Sequence, residues 1–132
     1  MDKYQLVSIS TKGFSDLSSR TFETRVKGKL FQGFVVRKGG EYFAYQNLCR
    51  HLPISLDLGD NQLLTHDKAH LQCHMHGAVY KIDSGLCISG PCEGASLRPL
   101  ELKEDGTRLV IRIPESSLGN PAGLVVKRDH DG

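Results

Sequence analysis

Apolar residues in this chain recur at every second position far more often than at helical spacing, and turn-forming residues separate the runs. Leu6-Val7-Ser8-Ile9 reads as a short first strand. Lys12 to Ser19 is a polar link with a brief turn around Gly13. Phe22, Thr24 and Val26 alternate with Glu23 and Arg25, which predicts a strand with one buried face. Phe31 to Arg37 is more continuously apolar, and Lys38-Gly39-Gly40-Glu41 turns it into Tyr42-Phe43-Ala44-Tyr45, a hairpin that delivers the chain to Cys49.

The second half repeats the theme. Leu56 to Asn61 reads as loop and turn. Leu63 to His66 and Ala69 to Gln72 are expected to pair across Asp67-Lys68. Val79 to Ile82, Asp83-Ser84-Gly85 and Leu86 to Ile88 form another small hairpin, and Gly90-Pro91 opens an irregular loop. Leu97 to Leu102 and Leu109 to Ile113 flank Glu104-Asp105-Gly106, where Asp-Gly predicts a type I′ turn. The fold class is therefore all-β, an antiparallel sandwich or small barrel of many short strands. Residues 1–113 make one domain. Residues 114–132, rich in Ser, Gly, Pro and Asp, read as a loosely ordered tail with Leu124-Val125-Val126 its only apolar anchor.

Bulk properties narrow the function by exclusion. A chain of 132 residues with 39% hydrophobic and 24% charged residues suits one modest core. A net charge of +2 gives no argument for nucleic acid. No run is apolar enough to span a bilayer, and the first residues show no export signal, so the expected location is the cytoplasm. The four cysteines are then expected to be reduced, which favours metal binding or plain burial over a disulfide framework.

Two short segments each offer a thiol and an imidazole: Cys49-Arg50-His51 and Cys73-His74-Met75-His76. Two thiolates and two neutral imidazoles suit zinc or iron–sulfur chemistry. Paired zinc ligands are usually two to four residues apart, and a single intervening residue at Cys49-x-His51 is awkward for one ion. It suits two irons a cluster width apart, thiolate on one and imidazole on the other.

The pair Cys-x-His and Cys-x-x-His resembles the Rieske [2Fe–2S] signature, in which two cysteines bind one iron and two histidines the other. The resemblance continues through Leu56, Gly59, Gly77, Tyr80, Gly85, Gly90-Pro91, Leu97 and Pro99, and covers roughly residues 5–113. It implies one [2Fe–2S] cluster per chain, held by Cys49, His51, Cys73 and His76 in loops spanning about 47–92. It further implies a Tyr80 hydroxyl directed at the sulfur of Cys49 and a covering loop at Gly90 and Pro91.

Charge counting accounts for such a ligand set: two ferric ions, two sulfides and two thiolates sum to zero, whereas four thiolates leave two negative charges. A neutral centre accepts an electron more readily, which lifts potentials from about −400 mV to between about −150 and +300 mV. This chain departs from the Rieske proteins of cytochrome bc complexes at three places. Ile54 and Met75 stand where those proteins carry a disulfide, and Ala78 stands where they place a hydroxyl against a bridging sulfide. Fewer hydrogen bonds to sulfur imply a potential low in the range. The spacer from His51 to Cys73 is also longer than usual in the family, with the excess in residues 63–72.

Elsewhere, His66, His70, His74 and His130 read as surface residues. Cys87 and Cys92 flank Gly90-Pro91; small apolar filler is the default reading for them and a redox-sensitive dithiol the sharper one. By resemblance the chain is a soluble one-electron carrier, not itself an enzyme. It would pass electrons between a reductase and an oxygenase or other oxidoreductase, with no nucleic-acid partner and no membrane span. A redox- or iron-responsive regulatory module, and the small subunit of a nitrite reductase-like enzyme, are the alternatives.

Overall fold

A computed structural model describes residues 3–49, 56, 63–73, 77–117, 119 and 120. Among these residues there is no helix. The strands are β1 (Tyr4–Ser10), β2 (Ser18–Val26), β3 (Lys29–Lys38), β4 (Glu41–Gln46), β5 (His70–Gln72), β6 (Val79–Lys81), β7 (Cys87–Ser89), β8 (Pro99–Asp105) and β9 (Arg108–Pro114). They form a six-stranded antiparallel sheet in the order β1-β9-β8-β4-β3-β2 and a three-stranded sheet in the order β5-β6-β7.

The larger sheet curls into a near-barrel, and side chains bridge its two ends. Gln5 Nε2 on β1 donates to Thr24 Oγ1 on β2 at 2.6 Å, and Arg20 on β2 donates to the Ser10 carbonyl at 2.7 Å. The barrel interior is Phe14, Phe22, Val26, Phe31, Val35, Ala44, Leu109, Ile111 and Ile113. The inward series Leu109, Ile111, Ile113 and the alternation of Phe22 and Val26 with exposed Glu23 and Arg25 follow the pleat of a strand with one wet face.

β3 is different because both of its faces are covered. Phe31 and Val35 enter the barrel core, while Phe34 and Val36 enter a second core with Tyr45, Cys49, Leu56, Leu63, Leu71, Cys73, Ala78, Tyr80, Ile82, Cys87 and Leu97. A strand buried on two sides reads as a continuous apolar run, which is what the Phe34-Val35-Val36 stretch shows. The second core carries the small sheet, so β3 and β4 link the barrel to the cysteine-bearing end.

The hairpins lie close to their expected places. Gly39 and Gly40 take positive φ values of 64° and 82° between β3 and β4. The 63–66 and 69–72 segments meet through a bridge from Leu64 to Leu71. One turn differs from expectation. Asp105 pairs with Arg108, so the two connecting residues of the last hairpin are Gly106 and Thr107, not Asp105 and Gly106. Of those two only Gly106 has positive φ, which a type I′ turn would need at both. The ladder runs in register from Glu101 opposite Arg112 to Asp105 opposite Arg108, which sets Leu102 across from Ile111.

Within the 114–132 segment, residues 114–117, 119 and 120 are described. Asn120 is buried, and its side chain accepts from Gln32 N (2.9 Å) and Gln46 Nε2 (3.0 Å) and donates to the Asn47 carbonyl (2.8 Å). Leu124-Val125-Val126 lie outside the described residues.

Candidate metal centre

The two cysteine segments leave the ends of neighbouring elements. Cys49 follows β4 by three residues and Cys73 follows β5 directly, and both thiols lie in the second core, 4% and 0% exposed. Two buried cysteines in one apolar cluster, with Tyr80 between strands, form an enclosure of low polarity that suits thiolates bound to a cation. His51 and His76 lie outside the described residues, as do Arg50, Ile54, Gly59, His74 and Met75. Among the described residues no three His, Cys, Asp or Glu side chains converge as a metal set. The fit of the donor set therefore rests on the two thiols.

The loop bases are hydrogen bonded. Cys73 N donates to the Ala78 carbonyl (2.8 Å) and Gly77 N to the Cys73 carbonyl (2.9 Å), which ties off the segment containing His76. Gly77 sits at φ 72°, a conformation that favours glycine. On the first segment Asn47 does the same work. Its N–H donates to the Gln32 carbonyl (2.8 Å), and its Oδ1 accepts from Leu56 N (2.8 Å), bridging across the stretch that holds Cys49 and His51. The hydropathy pattern gives no hint of Asn47 or Asn120. The available signal is the adjacent amide pair Gln46-Asn47, interrupting an apolar strand just before a cysteine.

Tyr80 on β6 is fully buried, and its hydroxyl lies 3.6 Å from Cys49 Sγ. The same hydroxyl is 3.2 Å from Cys92 Sγ, which in turn is 3.2 Å from Cys87 Sγ. Burial, followed by the Cys92 contact, pushes the Cys87 thiol up to about 11. Cys87 is packed in the core and Cys92 is half-buried. Pro91 is exposed. Gly90, at φ 103°, passes so close to the residue before β6 that a Cβ there would stand 2.8 Å from Ala78 Cα.

Outside this region, a cleft of about 320 Å³ is lined by Tyr42, Tyr45, Asp83 and Leu102 among others, and carries neither Cys nor His. No helix among the described residues is long and apolar enough to cross a membrane.

The family model of the Rieske [2Fe-2S] domain matches residues 13–112. No curated protein matches the chain. Solved structures share its fold. The ferredoxin of carbazole 1,9a-dioxygenase from Nocardioides aromaticivorans IC177 is 23% identical, with a TM-score of 0.60, over 78% of this chain and 91% of that one. A chain from a complex of reduced oxygenase and oxidized ferredoxin in carbazole 1,9a-dioxygenase is 20% identical, with a TM-score of 0.63, over 80% and 91%. The terminal oxygenase of carbazole 1,9a-dioxygenase from Novosphingobium sp. KA1 is 16% identical, with a TM-score of 0.62, over 92% of this chain but 34% of the oxygenase. With a family model spanning most of its length, the chain belongs to the Rieske [2Fe-2S] domain family.

Proposed function

We propose that the chain is a one-electron carrier, a Rieske-type ferredoxin whose cluster is held by Cys49, His51, Cys73 and His76. When bound, the [2Fe–2S] cluster supplies reversible one-electron chemistry. The observation that carries the reading is the burial of Cys49 and Cys73 in one core, on two segments whose bases are closed by backbone and Asn47 hydrogen bonds. The two thiolates supply the negative charge that iron requires, and the surrounding Leu56, Leu63, Leu71 and Leu97 exclude water from them. The Tyr80 hydroxyl supplies a hydrogen-bond donor to sulfur at Cys49, and Ala78 offers none. The expected potential is therefore in the lower part of the Rieske range.

The reading extends to partners by likeness. A ferredoxin of an oxygenase system matches this chain over 91% of its own length, whereas an oxygenase matches over about a third of its length. A reductase as donor and an oxygenase as acceptor suit that pattern, with the chain working as a soluble cytoplasmic component.

Purified protein, reduced with dithionite, tests the cofactor and its ligands together. The expected result is a coloured protein with two irons and two sulfides per chain and the electron paramagnetic resonance signal of a mixed-ligand cluster. Cys49→Ser, Cys73→Ser, His51→Ala and His76→Ala should each abolish that signal. A colourless protein with one bound zinc would refute the reading.

A further inference from the structure

Cys87 and Cys92 belong to neither ligand segment, yet their sulfurs meet at 3.2 Å. Small filler would bring each sulfur against carbon; here Cys87 Sγ meets Cys92 Sγ and donates to the Ser89 carbonyl at 3.3 Å. The intervening turn is held at both ends. Gly94 N donates to the Cys87 carbonyl (3.0 Å), Cys87 N to the Ala95 carbonyl (2.7 Å) and Ala95 N to the Cys92 carbonyl (2.9 Å). Cys87 is enclosed and Cys92 is reachable from solvent. The pair also touches the metal centre, since Cys92 Sγ and Cys49 Sγ sit on the same Tyr80 hydroxyl at 3.2 and 3.6 Å.

We propose that Cys87 and Cys92 are a reversible dithiol–disulfide switch whose state is passed through the Tyr80 hydroxyl to Cys49. The second half rests on Cys49 being a cluster ligand. The oxidant is a low-molecular-weight disulfide. The Cys92 thiolate, the accessible one, attacks a sulfur of that disulfide and expels one thiolate, leaving a mixed disulfide. The Cys87 thiolate then attacks Cys92 Sγ and expels the other. The two protein thiols lose two electrons and two protons, and the external S–S bond becomes two thiols that take up both. The burial of Cys87 and the partial exposure of Cys92 make Cys92 the point of entry.

The Tyr80 hydroxyl has one hydrogen, and among the described residues it meets two sulfurs. In the dithiol state Cys92 Sγ competes with Cys49 Sγ for it. Bond formation shortens the sulfur separation to about 2.05 Å and draws Cys92 toward Cys87, off the hydroxyl. The hydrogen is then left to Cys49, and a hydrogen bond to a ligand sulfur raises the potential.

The test treats the anaerobic holoprotein with excess glutathione disulfide, then alkylates it and measures intact and peptide masses. Two alkylation sites should be lost, with Cys87 and Cys92 recovered in one cross-linked species, and dithiothreitol should restore both. The cluster's midpoint potential should shift upward in the oxidised wild type and stay put in Cys92→Ser and Tyr80→Phe. If Tyr80→Phe fails to load iron, Cys92→Ser carries the comparison alone. Continued alkylation of both cysteines, arrest at a glutathione adduct on Cys92, or a cross-link without a potential shift would each overturn the switch. A chain without iron refutes the ligand reading and the relay to Cys49, while the cross-link is still read by mass.

Discussion

The Tyr45 hydroxyl donates to the Ile82 carbonyl at 2.7 Å, joining the end of β4 to the turn that follows β6. It is a side-chain bond from the six-stranded sheet to the small one, and both residues are buried. Replacing it in Tyr45→Phe leaves a buried carbonyl without that donor and should cost about 1–3 kcal/mol. Urea denaturation measures the loss, and the iron content of the variant should fall with it.

The same tyrosine sets an alkaline limit. Burial first, and the Asp83 charge second, raise its hydroxyl from 10.0 to about 12. A raised folded value means that the folded state keeps its proton where the unfolded chain gives it up. This contribution is whole below pH 10, declines as pH rises through the window and is gone above the folded value. Denaturation midpoints across that window should fall more in the wild type than in Tyr45→Phe; equal slopes would count against it.

Asn47 ties the first thiol–imidazole segment at its two ends. Asn47→Ala frees the Leu56 amide inside the core and should destabilise by about 1–3 kcal/mol. The more telling readout is cluster loss. The half-life of the visible absorbance in the presence of a chelator should shorten, while Asn47→Asp, which keeps the Oδ1 acceptor, should recover much of it.

Gly90 and Gly94 provide an internal control for packing on β6. Both have positive φ, at 103° and 93°, but only at Gly90 does an added Cβ meet the Ala78 backbone; at Gly94 nothing lies within 4 Å. Gly94→Ala should show the cost of the backbone conformation alone. Gly90→Ala should lose about 1–3 kcal/mol more through overpacking, measured as the difference in melting free energy. Equal losses would mean that the loop yields.

Gly33 is the barrel's counterpart. It pairs directly with Phe22, whose ring occupies the space where a Cβ would stand. An aromatic ring folded over a cross-strand glycine is a known way to pin a bent sheet. Gly33→Ala should displace the ring and lower the thermal midpoint, and Phe22→Leu should partly relieve the double variant.

Much of this was readable from local pattern. Alternation located the strands, glycines located the turns, and Cys49 and Cys73 stood out because paired thiol–imidazole segments are rare. What escaped was set by contacts distant in sequence. Asn120 meets Gln32 and Gln46 across 88 and 74 residues, which no local pattern encodes. The last turn lies one residue beyond the Asp-Gly pair because Asp105 is itself the last cross-strand partner, opposite Arg108. Cys87 and Cys92 were visible as a pair, but their approach to Tyr80 depends on the bulge between Val79 and Tyr80 that shifts β7 along β6.

β3 faces two interiors at once, and that sets where this protein can be cut or grafted. Transplanting the cysteine-bearing end onto another scaffold could not stop at the loops; it would have to carry Phe34 and Val36, and so the strand that also presents Phe31 and Val35 to the barrel. The seam between the two halves runs through the thickness of β3 and of its neighbour β4, where Ala44 and Tyr45 face opposite cores, so a chimera must match its host on the far side of the metal.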